Sequence, residues 1–467
     1  MTLIKSISGI RGTIGGRVGD NLTPIDIVKF AAAFGTWIST QTPDKKTIIV
    51  GRDARTSGKM VSDLVCSTLN SLGFDIIDLG LSTTPTVEIA VPKEGAAGGI
   101  ILTASHNPAQ WNALKLLNAD GEFISDADGK ALIEIADTDD YSFAGYKDLG
   151  SYRTDDTYLK QHIDSILALP TVDIEAIKKA NFRVVVDAVN STGGIAVPML
   201  LRALGVHNIK EINCEPTGLF AHNPEPIPEN LREISGEVKR GDYDLGIVVD
   251  PDVDRLAFIS EDGEPFGEEY TLVAVADYLL SHEETKNKAT VSNLSSTISL
   301  KEITEKHGGE YHASAVGEVN VVTKMKEVGA EIGGEGNGGI IYPALHYGRD
   351  ALVGIALFLS HLAHFGKSIG HLRKQYPNYF IAKKKANLEE GLNVDKVLEG
   401  IKKKYSKQPV NTVDGVKIMF GDSEWVHLRK SNTEPIVRIY AESEFENKAN
   451  SLADKIIKDI NEVMKEG

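Results

Sequence analysis

The stretch TIIVGRDARTSGKMVSDLVCSTLNSLGFDIIDLG (residues 47–80) decides the fold class. It begins with an apolar, β-branched run and continues through a loop of Gly, Asp, Ser and Thr. Apolar residues at helical spacing follow, and a second short apolar run closes the stretch. This order predicts two parallel strands joined by a helix, in a sheet that is buried on both faces.

The same plan occurs twice more along the chain. The second copy begins with RVVVDAVNSTGG (residues 183–194) and the third with ATVSNLSST (residues 289–297). Gly73, Gly205 and Gly308 stand where the three helices should end. The spacing of the copies is far too long for a solenoid and suits successive α/β domains.

The last ninety or so residues follow a different pattern, in which strand-like runs come in close succession. Strands are predicted over residues 380–386, 416–420, 425–429 and 436–441, and helices over 392–405 and 447–464. We therefore predict an α/β protein with three related mixed-sheet domains in tandem and a smaller C-terminal α+β domain. The predicted domains are residues 1–153, 154–255, 256–375 and 376–467.

Composition limits the kinds of partner. The chain has 467 residues and a formal net charge of −16, which argues against a nucleic acid or an anionic membrane as partner. Two cysteines, Cys66 and Cys214, are too few for a disulfide framework, and the first residues lack the apolar core of a signal peptide. We expect a cytoplasmic protein, monomeric or homodimeric, that acts on a small molecule.

The segment TASHNP (residues 103–108) follows a predicted strand over residues 99–102. It makes Ser105 a candidate nucleophile or phosphate carrier, with His106 beside it. The alternative is a capped turn in which Thr103 or Ser105 is the N-cap. A serine hydrolase is disfavoured because the G-x-S-x-G elbow is absent.

The segment DPDVDR (residues 250–255) places three carboxylates after a buried strand predicted over residues 245–249. Asp250, Asp252 and Asp254 would repel one another in so tight a loop, and a divalent cation would offset that repulsion. Three carboxylates without a full cage suit Mg²⁺ that also holds a phosphate oxygen, with calcium as the second choice. The alternative is a solvated acidic turn.

The glycine-rich segment IGGEGNGGIIYP (residues 332–343) surrounds Glu335 and Asn337. Glycine lets the backbone approach a ligand closely, and one carboxylate with one amide suits sugar hydroxyls. The alternative is an ordinary glycine-rich turn.

Near the C-terminus, the segment VHLRKSNTEPIVRIYAE (residues 426–442) gathers groups that bind anions. Hydroxyls, backbone N–H groups and guanidinium groups around one turn would form a phosphate nest. The alternative is a hairpin turn with a surface arginine. The candidate residues are Arg429, Ser431, Asn432, Thr433 and Arg438.

Other basic residues stand beside glycines. Surface ion pairs are the default interpretation for Arg11, Arg52 and Arg55. Lys115 differs, because it lies in an apolar segment shortly after Ser105. A partly buried amine there would have a lowered pKa and could accept a proton.

Taken together and in this order, the four motifs resemble those of the α-D-phosphohexomutase superfamily. TASHNP is similar to its phosphoserine loop, DPDVDR to its metal loop, GEGNGG to its sugar loop and RKSNTEP to its phosphate loop. The resemblance covers essentially the whole chain. It implies three α/β domains, a smaller C-terminal domain and a phosphosugar substrate.

The resemblance also implies a role for each candidate. Ser105 would carry a phosphoryl group, and a phosphoserine oxygen would join the three aspartates around Mg²⁺. A hexose 1,6-bisphosphate would be the bound intermediate, with Glu335 on the sugar hydroxyls and the loop near Arg429 on the distal phosphate. Lys115 would be the general acid or base, beside Arg11 and Arg255, while His106 would orient the loop. Arg255 and Asn337 would join Glu335 in binding the sugar.

Two departures from the family pattern indicate an archaeal-type or otherwise divergent branch. Gly339 stands where several bacterial branches have His, and the segment VGEVNVV (residues 316–322) lacks their basic residue. His346 and Arg349 are candidates to compensate. Glucosamine phosphate is the expected substrate, with glucose or mannose phosphate as the alternative and a non-catalytic sugar-phosphate binder as the third possibility.

Overall fold

A computed structural model gives the structure of the chain. It describes residues 2–6, 9–282, 285, 287–388, 393–430 and 436–466. The chain divides into two compact units. The first comprises Met1–Tyr278 and Asn337–Leu372, and the second comprises Leu279–Gly336 and Arg373–Gly467.

A seven-stranded mixed sheet begins the first unit. Its strands are β1 (Ile4–Ser6), β2 (Gly9–Thr13), β3 (Thr47–Arg52), β4 (Asp75–Leu81), β5 (Gly98–Leu102), β6 (Trp111–Leu117) and β7 (Tyr152–Thr154). Its helices are α1 (Pro24–Gln41), α2 (Gly58–Ser71), α3 (Thr84–Lys93) and α4 (Asp126–Thr138). The strand order is β1-β2-β6-β5-β3-β4-β7, and β3 is parallel to both β4 and β5. Because β3 and β5 are parallel neighbours, the loops that follow them leave the same edge of the sheet.

A four-stranded sheet follows in the same unit. Its strands are β8 (Arg183–Asp187), β9 (Asn208–Ile212), β10 (Leu245–Val249) and β11 (Leu256–Ser260). The helices of this region are α5 (Tyr158–Leu167), α6 (Ile174–Ala180), α7 (Gly193–Ala203), a 3-10 turn (Pro228–Asn230), α8 (Arg232–Gly241) and α9 (Glu268–Ser281). The strand order is β11-β10-β8-β9, in which only the pairing of β10 with β11 is antiparallel.

The second unit contains the third copy of the α/β plan. Its elements are β12 (Ala289–Asn293), α10 (Ser299–Lys306), β13 (Glu310–Ser314), α11 (Glu318–Val328) and β14 (Ile332–Glu335). Strand β12 pairs in parallel with both β13 and β14. The chain then returns to the first unit with β15 (Gly339–Ile341), α12 (Ala351–Phe365) and all but the last residue of α13 (Ile369–Arg373).

The C-terminal sheet of the second unit is antiparallel throughout, with the order β16-β20-β19-β18-β17. Its elements are β16 (Phe380–Asn387), α14 (Val394–Lys404), β17 (Val410–Asn411), β18 (Val416–Met419), β19 (Trp425–Lys430), β20 (Ile436–Ser443) and α15 (Glu446–Glu466).

The predicted fold class is confirmed. The strands and helices predicted for the C-terminal region are also confirmed, with ends that shift by one or two residues. The first residue of the predicted helix over 392–405 lies outside the described residues. None of the described helices combines the length and the apolar character needed to cross a membrane.

The three copies of the α/β plan share a side-chain contact as well as a topology. In each, the polar residue at or just after the end of the first strand accepts a hydrogen bond from the backbone N–H two residues later. The pairs are Asp53 with Arg55 (2.9 Å), Asp187 with Val189 (3.0 Å) and Asn293 with Ser295 (2.9 Å). In the first copy, Asp53 also accepts a hydrogen bond of 2.7 Å from Thr103 Oγ1, so this turn lies beside the loop of Ser105.

Candidate active site

Three aspartates meet in the tight turn between β10 and β11. Asp250, Asp252 and Asp254 are fully buried, and one ligand atom from each lies within 4.8 Å of the others. Val253 between them has a φ of +64°, an uncommon conformation for a β-branched residue. In the described part of the chain, no other cluster of potential metal ligands is this close. The predicted convergence of the three carboxylates is confirmed.

The charges in this cluster are only partly compensated by protein groups. Burial, together with the charges of Asp254 and Asp252, raises the pKa of Asp250 well above its usual value. Burial also tends to raise the pKa of Asp254, but Arg349 and Lys115 outweigh it and lower that pKa. One carboxylate oxygen of Asp252 and one of Asp254 have no hydrogen-bond partner among the described residues, although both are buried. Such oxygens fit a Mg²⁺ ion, which prefers carboxylate ligands.

Ser105 lies at the aspartate cluster. Its Oγ donates a hydrogen bond of 2.7 Å to Asp250 Oδ2, and the residue is 6% exposed. Its backbone has a φ of +47°, which lies in the left-handed region. The next element is strand β6, so neither Thr103 nor Ser105 is the N-cap of a helix there. A left-handed serine that touches a cluster of potential metal ligands is typical of a functional position.

Lys115 corrects one prediction from the sequence. Its Nζ lies 2.7 Å from Asp252 Oδ2 and 3.2 Å from Asp254 Oδ2. Burial tends to lower the pKa of Lys115, but the two carboxylates outweigh it and raise that pKa above its usual value. The predicted lowered pKa was therefore wrong, because the sequence did not show that both carboxylates face this amine. In this arrangement Lys115 is an ammonium ion.

His106 and two arginines lie near the same cluster. Burial and the charge of Arg255 lower the pKa of His106 to about 2, so the imidazole is neutral at neutral pH. Burial and repulsion by Arg255 also lower the pKa of Arg11. Arg255 lies 3.3 Å from Glu225 through its Nη1, while its backbone N–H donates to Asp250 Oδ1. Two guanidinium groups that repel each other beside a neutral histidine are suited to bind an anion, because its charge would offset that repulsion.

Arg349 and Thr84 also reach the aspartates. Arg349 Nη2 lies 2.8 Å from Asp254 Oδ2, and Thr84 Oγ1 donates to Asp252 Oδ2 at 2.6 Å. A Cβ atom placed on Gly339 would lie 2.4 Å from Arg349 Cδ, so the stem of Arg349 fills the space beside this glycine. The other compensation candidate, His346, instead faces Glu88 and Asp350, at 3.4 Å from each. From the sequence, Arg349 was only a candidate to compensate for Gly339. Thr84 was not predicted, because it lies in none of the motifs.

Arg55 was assigned wrongly from the sequence, as a surface ion-pair residue. It is 1% exposed, and its guanidinium donates to the loop that carries Ser105. Arg52 is half-buried and donates to the backbone oxygen of Asp53. The burial of Arg55 becomes visible only when β3 and β5 are placed side by side.

The candidate sugar-binding residues fall in different units. Glu335 ends β14 in the second unit, where it accepts hydrogen bonds from Asn293 Nδ2 at 2.9 Å and from the N–H of Gly317 at 3.2 Å. Asn337 belongs to the first unit and accepts from the N–H of Gly339 at 3.2 Å. Arg255 also belongs to the first unit.

The candidate phosphate loop is described only at its flanks. Arg429 and Arg438 stand opposite each other on β19 and β20. Arg429 Nε lies 2.7 Å from Asp414 Oδ2, and Arg438 is exposed. Ser431, Asn432 and Thr433 lie outside the described residues, and their binding of phosphate stays a prediction.

Comparison with known proteins gives matches along the whole chain. Four phosphoglucomutase/phosphomannomutase domain families match in succession: the alpha/beta/alpha domains I, II and III over residues 3–142, 160–263 and 267–379, and the C-terminal domain over 383–459.

Individual proteins match over nearly their full length. A phosphoglucomutase/phosphomannomutase of Thermococcus kodakarensis is 36% identical over 97% of this chain and 99% of its own. A phosphoglucosamine/phosphogalactosamine mutase of Sulfurisphaera tokodaii is 34% identical over 96% and 97%. A crystal structure of a phosphoglucomutase/phosphomannomutase family protein from Burkholderia thailandensis, 25% identical, superposes with a TM-score of 0.83 over 99% of this chain and 98% of that one.

Proposed function

Because the chain belongs to the phosphoglucomutase/phosphomannomutase family, we propose that it interconverts hexose 6-phosphates and 1-phosphates through a phosphoserine at Ser105. It is a mutase, an isomerase-class phosphotransferase. The observation that carries the proposal is the 2.7 Å hydrogen bond from Ser105 Oγ to Asp250, inside a buried group of three aspartates. A serine in this place can carry a phosphoryl group whose charge a divalent cation offsets.

Phosphoryl transfer needs electrostatic support more than covalent help. Bound Mg²⁺, held by the three aspartates, would neutralise charge on the transferring group. Lys115 contributes a second positive charge at the same place, and Arg349 balances Asp254. Arg11 and Arg255 would bind the reacting phosphate, while His106, which is neutral, would orient the loop.

The reaction proceeds in two transfers. In the first, the Oγ–P bond of phosphorylated Ser105 breaks and a P–O bond forms to the sugar O1 of a hexose 6-phosphate, which gives the 1,6-bisphosphate. In the second, the O6–P bond breaks and a P–O bond forms to Ser105 Oγ. This transfer regenerates the phosphoserine and yields the 1-phosphate. In each transfer the attacking hydroxyl loses a proton and the leaving oxygen gains one, which means sugar O1 and Ser105 Oγ in the first transfer and Ser105 Oγ and sugar O6 in the second. Lys115, as an ammonium ion, is the proposed donor to the leaving oxygen, and it regains a proton from the attacking hydroxyl. Glu335 would hold sugar hydroxyls in both orientations, and the loop near Arg429 the other phosphate.

Glucosamine 6-phosphate is the proposed substrate. The Sulfurisphaera tokodaii relative, whose name includes phosphoglucosamine, supports this choice. The alternative is glucose or mannose phosphate, which the name of the Thermococcus kodakarensis relative supports at slightly higher identity. A comparison of kcat/KM on the 1-phosphates of glucose, mannose, glucosamine and N-acetylglucosamine decides between them. A preference of about tenfold or more for glucose or mannose 1-phosphate would contradict the glucosamine assignment.

The covalent intermediate is tested by intact-mass measurement. The purified protein, incubated with a hexose 1,6-bisphosphate and Mg²⁺, should gain about 80 Da, and peptide mapping should place the added mass on Ser105. A sugar-phosphate binder without catalytic function would gain no mass and would turn over none of the four substrates.

A further inference from the structure

The guanidinium group of Arg55 is surrounded by the loop that carries Ser105. Nη2 donates to the backbone oxygens of Ser105 at 2.5 Å and Asn107 at 2.7 Å, and Nη1 to those of Pro108 at 2.7 Å and Trp111 at 3.0 Å. Nε donates to Asp53 Oδ2 at 3.0 Å. An arginine has five N–H donors, so this side chain uses all of them on one carboxylate and on four carbonyls of residues 105–111, the segment between β5 and the first residue of β6.

The same residues form a closed ring around the backbone of Ser105. The N–H of Ser105 donates to Thr103 Oγ1 at 2.9 Å, and that hydroxyl donates to Asp53 Oδ2 at 2.7 Å. Asp53 Oδ2 also accepts from Arg55, which holds the backbone oxygen of Ser105. The peptide groups on both sides of the Ser105 Cα are thus fixed by one buried network.

This network accounts for the unusual conformation of Ser105. A φ of +47° is disfavoured for serine and persists only where the surroundings hold it. The ring fixes the peptide N–H before the Ser105 Cα and the carbonyl after it, which are the two groups whose orientation φ and ψ set. With the backbone held in this way, the side chain points at Asp250.

The internal repeat shows that the arginine is not needed for the fold of such a loop. The second copy has the same turn at Asp187, but Val189 stands where the first copy has Arg55. The third copy has Ser295 at this position. Only the copy whose loop lies against Ser105 has the arginine. The role of Arg55 is therefore distinct from that of the turn, which all three copies share.

We propose that Arg55, with Asp53 and Thr103, is a positioning residue that holds Ser105 in its left-handed conformation and so aims its Oγ at the aspartate cluster. This inference rests on the proposed function, in which Ser105 carries the phosphoryl group. Arg55 touches no reacting atom in this role. It acts through the backbone of the serine loop.

The test compares Arg55→Lys, Thr103→Val and Thr103→Ser with the wild-type protein. Arg55→Lys keeps the charge but not the five-donor fork, and Thr103→Val keeps the shape but not the hydroxyl. Because a misplacement of about 1 Å can lower a rate by about 100-fold, both should lower kcat by about 10- to 100-fold. KM and the Mg²⁺ affinity should stay within about threefold, and Thr103→Ser should restore kcat.

Asp187→Ala is the control, since it removes the carboxylate that accepts the hydrogen bond in the same turn of the second copy. It should lower thermal stability while kcat stays within about threefold of wild type. If Arg55→Lys does not fold, the Thr103→Val and Thr103→Ser pair decides. Folded Thr103→Val or Arg55→Lys protein with wild-type kcat would overturn the positioning role while the proposed function stands. A wild-type protein that turns over none of the four sugar phosphates overturns the proposed function and this role with it.

Discussion

At the scale of single residues, the site depends on how buried charges are paired. Asp250 contacts Ser105, whereas Asp252 and Asp254 face Lys115. Against the effect of burial, Asp252 and Asp254 raise the pKa of Lys115, and Arg349 together with Lys115 lowers the pKa of Asp254. The sequence marks the ionisable residues here, but pairing depends on distances that no spacing along the chain reveals.

Ser105→Ala removes the proposed phosphoryl carrier and leaves the aspartates and the cations of the site in place. We expect kcat to fall by at least about 1,000-fold, because the covalent route is lost. Substrate binding should persist, since the arginines remain, and calorimetric titration with the sugar phosphate checks this. Normal turnover in the variant would refute the mechanism.

At the scale of elements, the ends of strands and helices bring the functional groups together. Strands β3 and β5 deliver Asp53 and Thr103 to one edge, and β10 delivers the aspartates. The predicted strands locate these loops along the chain. Which loops touch was not predictable, because the strand order in each sheet is set by long-range pairing that local sequence patterns do not encode.

Gly339 and Arg349 should behave as a coupled pair. Gly339→Ala places a methyl group 2.4 Å from Arg349 Cδ and should destabilise the protein by about 1–3 kcal/mol through overpacking. In an Arg349→Ala background, where that contact is removed, the same substitution should have a much smaller effect. Urea unfolding of the four proteins in this cycle measures the coupling. Additive effects would show that Arg349 does not fill the space beside Gly339.

Glu442 on β20 should make stability depend on pH. Burial raises its pKa to about 7, although the backbone N–H of Ile298, the N-cap of α10, and Trp425 Nε1 on β19 both donate to it. Between pH 4.5 and 7 the folded protein keeps a proton that the unfolded chain has lost, so stability falls as pH rises through this range. The expected decrease is on the order of 2–3 kcal/mol.

Glu442→Gln should flatten this part of the pH profile of unfolding free energy. Glu444→Gln is the control, since Glu444 is exposed on the same segment and should keep the wild-type slope. Equal slopes in wild type and Glu442→Gln would contradict the assignment.

At the scale of the whole molecule, the net charge of −16 has the same sign as a sugar phosphate, so binding must depend on local cations. In the first unit, these cations lie around the aspartates and are Lys115, Arg349, Arg11 and Arg255.

The three aspartates are brought together only in the folded chain. A metal that binds them must therefore stabilise the fold.

Mg²⁺ should raise the melting temperature for this reason. At a free concentration of 100 times its Kd, one bound ion adds about 2.7 kcal/mol of stability. Asp252→Asn should remove most of this effect and lower the Mg²⁺ affinity by at least about tenfold, since it replaces one of three carboxylates. Thermal melts over a range of Mg²⁺ concentrations measure the stabilisation and the affinity. Asp187→Asn is the control, because it leaves the three aspartates unchanged and should keep the Mg²⁺ effect. Identical melts of the wild-type protein in Mg²⁺ and in EDTA would contradict the metal site.

The sequence by itself determined the three α/β copies, the antiparallel C-terminal sheet and the loops that carry chemistry. These follow from hydrophobic periodicity and from residue types at short spacing, which are local properties of the chain. Only the tertiary structure decided that Lys115 faces two carboxylates, that Arg349 fills the space beside Gly339 and that Arg55 is buried under Ser105. Each of these contacts joins residues that are at least ten positions apart in the chain. Their energies depend on burial, which exists only once the sheets have formed.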